Sequence, residues 1–277
     1  MTAPSDAALF VPDGDDIVPT ESARGPWSPD ALHGGPVAAL VARTVESCVP
    51  EAPMLVTRLT IELLRPVPLA PLSVSATVSR PGRKVQVVEA RISAGGRDVA
   101  WGRAVRIRLW PPGQDRAGLP DPRGGPVPGR HGGAPPGPDA GHRSPEPLGG
   151  YRAFHNHGAE MRFVVGEFAS RGPSAVWVRL ARPVVPGEAP TPLQRAAAAA
   201  DFGNGVSSEL DFARFSFINP DLSVHLWRQP VGEWVCLEAS TAIGAPGVGV
   251  AQSALWDTEG PVGRSLQSLV IDSRGAP

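Results

Sequence analysis

Three polar residues stand where a carboxylate could work on water: Asp201 at the end of "RAAAAAD", Ser223 in "NPDLSVHLW" and Gln267 in "GRSLQSLVI". A carboxylate steadied by a hydroxyl and a side-chain amide can orient and deprotonate a water molecule, or attack a carbonyl carbon itself. Each residue also has a plainer reading. Asp201 could cap or pair at the surface, Ser223 could lie on an exposed strand face, and Gln267 could be an ordinary edge residue. Gly203 and Gly205 follow Asp201 as candidate helix-ending glycines. An acid at that end meets the negative pole of the helix dipole, so stability alone does not recommend it.

A second chemical feature is "LHGGPVAAL", where His33, Gly34 and Gly35 precede an apolar run. Amides in the first turn of a helix lack intrahelical acceptors, and glycines let a substrate oxygen approach them closely. One such donor to a developing oxyanion contributes about a hundredfold or more in rate. Otherwise the segment is a loop-to-helix turn with His33 as its N-terminal polar residue. In "FHNHGAE", His155 and His157 would share one face of a strand. No third ligand, HExxH or CxxC accompanies them, so neither a metal nor any other cofactor is expected. His225 shares a strand face with Ser223 and is expected to be a satisfied core histidine. "SRPGRKV" groups three cations and reads as a solvated hairpin turn. No GxSxG elbow, Walker loop or GxGxxG occurs.

The elements around these residues come in two similar sets, implying an α+β fold. "HGGPVAALVARTVESCV" has a helical apolar face, with Pro36 in the first turn, and four β-branched runs follow it up to residue 110. "PLQRAAAAADFGNGVSSEL" is the second helix, followed by runs beginning at "NPDLSVHLWRQP", "GEWVCLEASTAIG", "GVGVAQSALWDTEG" and "PVGRSLQSLVID". "LTIELLRP" from Leu59 matches "LSVHLWRQP" from Leu222, and "VAWGRAVRI" from Val99 falls on "VGRSLQSLVI" from Val262, both at an offset of 163 residues. A tandem duplication follows. The same shift carries Asp201 to Ala38, Gln267 to Ala104 and Ser223 to Thr60, and it lays His33–Gly35 on alanines. The expected organisation is a first repeat over 1–110, a linker over 111–150 and a second repeat over 151–277. The linker is more than half proline and glycine, too poor in bulky apolar residues to repay its ordering entropy with a core.

Composition narrows the partners. A formal net charge of −1 over 277 residues provides no electrostatic footprint for nucleic acid or an anionic membrane. No window approaches the roughly 20 apolar residues that span a bilayer, and the N-terminus lacks a basic region followed by a long apolar stretch. Cys48 and Cys236 read as reduced core thiols, and a soluble, cytoplasmic protein is expected. Lys84 is the only lysine, as a GC-rich bacterial genome would produce, so the many arginines say little about phosphate.

"GPWSPDALHGGPVAALVARTVE", "LTIELLRPVPLAPLSV", "RPGRKV", "ADFGNGVSS", "FINPDLSVHLWRQPVGEWV" and "LQSLVI" resemble an actinobacterial branch of the acyl-CoA thioesterases that carry two hotdog repeats in one chain. The resemblance implies a double hotdog, each repeat an antiparallel sheet wrapped around a central helix. It implies hydrolysis of an acyl-CoA or related acyl thioester to free acid and thiol by Asp-activated water. Asp201 would be the base, with Gln267 and Ser223 holding the water, or Asn219 in place of Ser223 if the alignment around "NPDLS" slides. Amides near Gly34 and Gly35 would polarise the carbonyl, with His33 and Asn204 in substrate binding. Two other readings stay open. A non-catalytic acyl-thioester-binding or accessory protein would keep the pocket alone, whereas a hotdog hydratase would want a histidine shortly after the acid, which "DFGNGVS" lacks. Exposed sheet edges leave homo-oligomerisation open.

Overall fold

The computed structural model describes residues 7–111, 113–114, 117–119, 121, 133–145, 151–168 and 170–274. The strands are β1 (Phe10–Asp13), β2 (Asp16–Pro19), β3 (Met54–Leu63), β4 (Leu72–Arg80), β5 (Val85–Ala94), β6 (Arg97–Arg108), β7 (Ala159–Val165), β8 (Ser174–Leu180), β9 (Phe215–Ile218), β10 (Asp221–Leu226), β11 (Val235–Ile243), β12 (Val248–Asp257) and β13 (Gly260–Ser273). The helices are α1 (Gly34–Glu46), α2 (Pro192–Ala200) and the single turn α3 (Gly203–Val206). Each expected four-strand set is present. The short pairs β1–β2 and β7–β8, which precede the helices, and β9 were not anticipated, and they enlarge the sheet beyond the repeat visible in the sequence.

All strands join one 13-stranded sheet in the order β1-β2-β4-β5-β6-β3-β10-β13-β12-β11-β8-β7, with β9 on β13. Outward from the β3–β10 seam the two sides mirror each other in element order. The seam register follows the duplication: Thr60 lies opposite Ser223, and Asp221↔Glu62 on one flank is matched by His225↔Arg58 on the other. An axis of pseudo-two-fold symmetry therefore passes between Thr60 and Ser223, whose hydroxyls are 3.3 Å apart. This wrapped sheet with two internal helices is the double hotdog that the resemblance implies.

The helices do not obey the strand offset. His33 caps α1 and Thr191 caps α2, a separation of 158 residues (191 minus 33). Counted from its cap, Asp201 therefore corresponds to Arg43 and not to Ala38, and His33–Gly35 correspond to Thr191–Leu193 and not to alanines. The five-residue difference is absorbed by the connections between helix and sheet, where a loop changes length at little cost.

Close helix packing explains the alanines. Ala196 to Ala200 are all buried, and the two helices run antiparallel, since the start of α1 meets the end of α2 and the start of α2 meets the end of α1. Val37, Leu40, Val41 and Val45 turn the apolar face of α1 into the core, each buried aliphatic contributing about 1.5–3 kcal/mol. At Gly35 an added Cβ would come within 2.8 Å of the Ala198 carbonyl oxygen, so the backbones approach too closely for larger residues. Ala198→Leu should lower the unfolding free energy by about 1–3 kcal/mol through overpacking, read from denaturant or thermal melts.

At the other helix junction Glu46, in the last turn of α1, accepts hydrogen bonds from the Thr191 hydroxyl and from Gln194 Nε2, both 2.9 Å, at the capped start of α2. Burial pushes the Glu46 carboxyl above the usual range and outweighs these two donors. A carboxyl that holds its proton more tightly when folded contributes stability in acid, and that contribution is lost as pH climbs from the ordinary glutamate range through the raised value. Melting temperature followed against pH should show this decline in the wild type and a flatter profile in Glu46→Gln.

The stretch over 111–150 is only partly among the described residues, with 122–132 and 146–150 outside them. Residues 133–145 contradict the expectation of an uncommitted linker, because His142 bridges to Phe163 on β7 and the Trp177 indole N–H donates to the Pro136 carbonyl at 2.6 Å. The segment is thereby pinned at Trp177, which belongs to an outer apolar cluster with Ala175, Cys236 and Trp256.

Candidate active site

α2 does not end on a left-handed glycine. Asp201 keeps helical backbone angles, and the chain turns through Phe202 into α3 with neither Gly203 nor Gly205 at positive φ. Space, not conformation, demands glycine at 203: an added Cβ would sit 2.8 Å from Gln267 Oε1. The turn delivers the Asp201 carboxylate to the start of α1, where a Cβ on Gly34 would stand 2.6 and 2.7 Å from its two oxygens. The acid is thus poorly placed for its own helix dipole and well placed for the positive end of the neighbouring one.

Asp201 is 4% exposed and well partnered. Its Oδ1 accepts hydrogen bonds from Asn219 Nδ2 at 2.9 Å and, at 3.4 Å, from Gln267 Nε2, while Oδ2 lies 2.9 Å from His33 Nδ1. Gln267 Nε2 also donates to the Asp201 backbone carbonyl at 3.2 Å, and its Oε1 accepts the Asn204 amide at 3.1 Å, which fixes the glutamine side chain. A carboxylate offers about four lone pairs. With two donors on Oδ1 and one contact on Oδ2, the second lone pair of Oδ2 is left to receive a water proton.

Of the sequence-derived residues, Asp201, Gln267, His33, Gly34, Gly35 and Asn204 meet here. Ser223 does not. It lies directly opposite Leu266 on β13, whereas Gln267, the next residue, points to the other face of the sheet. Its hydroxyl donates to Thr60, and Asn219 stands beside the acid instead. The alternation of buried Leu222, Val224 and Leu226 already implied that Ser223 faces outward. Asn204 spends its side chain on the Phe217 carbonyl at 3.2 Å. His155 and His157 fall in a π-helical turn (Phe154–Gly158), not a strand, so they do not share a face. His225 is exposed, not a core histidine. Among the described residues no group of three or more His, Cys, Asp or Glu side chains could hold a metal ion. The Arg80–Lys84 turn is exposed apart from its half-buried Gly82, both cysteines are free, and burial pushes the Cys236 thiol up.

A cavity of about 470 Å³ opens beside Asp201, with His33, Gly34, Asn204 and Asn219 in its lining. Its apolar wall takes Val37 from the apolar face of α1, whereas Trp27, Leu63, Phe168, Phe212 and Val270 come from loops and strand ends whose sequence has no periodicity to mark them. A smaller cavity of about 100 Å³ lies at the other helix junction, lined by Glu46, Val56, Leu193 and Leu226 among others. Internal symmetry relates the two, but in the second Arg43 stands for Asp201, Glu46 for Asn204, Val56 for Asn219 and Ala104 for Gln267. Arg43 pairs with Glu188 at 2.7 Å, so these positions hold no acid steadied by two side-chain amides.

The fold, with this polar cluster beside an apolar cavity, is that of a double-hotdog protein. The chain belongs to the acyl-CoA thioesterase family, a family of thioester hydrolases: residues 23–110 match the acyl-CoA thioesterase N-terminal domain and residues 131–271 the acyl-CoA thioesterase C-terminal domain. Similar solved structures include a candidate thioesterase II from Thermobifida fusca, 18% identical with a TM-score of 0.70, covering 98% of this chain and 99% of that one. A hot dog fold protein of unknown function from Alicyclobacillus acidocaldarius is 17% identical with a TM-score of 0.68, at 98% of each chain. An acyl-CoA thioesterase II from Mycobacterium marinum is 13% identical with a TM-score of 0.60, also at 98% of each. No curated protein matches. Among the described residues no helix is long and apolar enough to cross a membrane.

Since any side chain at 34 must displace the Asp201 carboxylate, Gly34→Ala should lower thioester hydrolysis at least about tenfold. Alanine's higher helix propensity, worth about 1 kcal/mol, should at the same time limit the loss of melting temperature. Parallel rate and melting measurements check both.

Proposed function

We propose that the chain hydrolyses acyl-CoA thioesters with Asp201 as the general base. The observation that carries this reading is the buried Asp201 carboxylate, held by Asn219 and Gln267 and set against the first turn of α1 at the rim of an apolar cavity. The acyl chain occupies that cavity, and the thioester carbonyl oxygen points at the amides of the first turn of α1, beginning with Gly34. Water donates one proton to Asp201 Oδ2 as its oxygen bonds to the carbonyl carbon, and the oxyanion collects on the amides. Collapse of this intermediate re-forms the carbonyl and breaks the C–S bond, and the thiolate leaves with the proton from Asp201. Free acid, CoA thiol and the ionised base result. The two free cysteines suit a reducing compartment, and we place the protein in the cytoplasm.

Thiol release from a panel of acyl-CoAs tests the assignment. Asp201→Asn should lose about 10²- to 10⁴-fold in kcat, the usual range for a general base. Asn219→Ala should lose about tenfold or more, and Ser223→Ala should stay within about twofold of wild type, because a hydroxyl on the outer sheet face does not reach the water. Equal rates in Asp201→Asn and wild type would sink the mechanism. Binding of an acyl-CoA that stays intact would favour the accessory-protein reading.

A further inference from the structure

His33 Nδ1 is claimed twice. The Gly35 amide lies 3.0 Å from it, the geometry of a helix cap in which the nitrogen accepts, and Asp201 Oδ2 lies 2.9 Å away. A ring nitrogen carries either a lone pair or a proton. With a lone pair it serves Gly35, and Asp201 must bring its own proton to come so near. With a proton it serves Asp201, and the Gly35 amide loses its acceptor.

The surroundings favour the second arrangement. Asn219 and Gln267 present N–H groups to Oδ1, and the first turn of α1 adds its positive end, so the carboxylate is surrounded by donors and the shared proton belongs on nitrogen. The imidazole packs against the stacked rings of Phe154 and Phe202, with centroids 5.1 and 4.8 Å away, and its side chain is 11% exposed. Little water competes for the contact, which strengthens it.

Resting on the reading of Asp201 as a base, we propose that His33 is a positioning residue whose Nδ1–H donates to Asp201 Oδ2 and holds the carboxylate for water. Were the proton to move to Nε2, Nδ1 would turn a lone pair toward the carboxylate and that support would be lost.

Two variants separate this role from packing. His33→Phe keeps a ring against Phe154 and Phe202 but has no donor, and it should lower kcat about 10- to 100-fold, as loss of an orienting partner does, with KM within about threefold. His33→Asn puts an amide N–H near the Nδ1 position and should recover to within about fivefold of wild type. Wild-type rates in His33→Phe, or no recovery in His33→Asn, overturn the proposal. Nitrogen-15 NMR of the histidine rings in the wild-type protein decides independently of turnover. A His33 proton on Nδ1 that weakens in Asp201→Ala supports the proposal, and a proton on Nε2 overturns it. If no acyl-CoA is hydrolysed, the reading of Asp201 as a base falls, while the ring tautomer still decides where the His33 proton resides.

Discussion

The close antiparallel approach of α1 and α2 governs the rest of the molecule. Two helix backbones this near each other admit only alanine and glycine between them, and they set the negative end of each dipole beside the positive end of the other. At both junctions a carboxylate on or near the last turn of one helix reaches the first turn of its neighbour: Asp201 at Gly34, and Glu46 at Thr191 and Gln194. The same electrostatic device is used twice. Only its surroundings decide whether it becomes a clasp or a reactive centre.

Those surroundings come from the sheet. At the Glu46 junction the facing strand supplies Val56, the cavity is small, and the carboxyl spends its capacity on the capping box of α2. At the Asp201 junction the corresponding positions are Asn219, in the connection between β9 and β10, and Gln267 on β13, and their amides steady the acid. Duplication thus let one end keep the structural task while the other assembled a site. Changes in loop length between helix and strand left the two kinds of element on different offsets, 163 residues for the seam strands and 158 for the helix caps.

Much of this was legible in the chain. The helical face of "HGGPVAALVARTVE" and the β-branched runs after it are local patterns, and they settle into α1 and β3–β6. Asp201, Gln267 and the glycines of "HGG" could be singled out because polar or featureless residues interrupt otherwise apolar elements. The single offset misassigned the sister of Asp201, since an alignment anchored on strands is blind to a compensated loop. The hydroxyl that the resemblance implies falls on Ser223, but strand alternation around Leu222 and Val224 turns that residue outward and Asn219 stands beside the acid. The His33–Asp201 contact was out of reach, because nothing in the sequence reports which end of one helix lies beside which end of another.

The pairing of Thr60 with Ser223 has a mechanical consequence. Where many two-lobed enzymes meet across a cleft, these halves share a continuous ladder of backbone hydrogen bonds from Asp221↔Glu62 to His225↔Arg58. Such a seam does not hinge, because rotation of one half would tear the ladder residue by residue. The cavity is therefore built on a frame that does not open between the halves, with Trp27 and Phe212 stacked 6.0 Å apart in its wall.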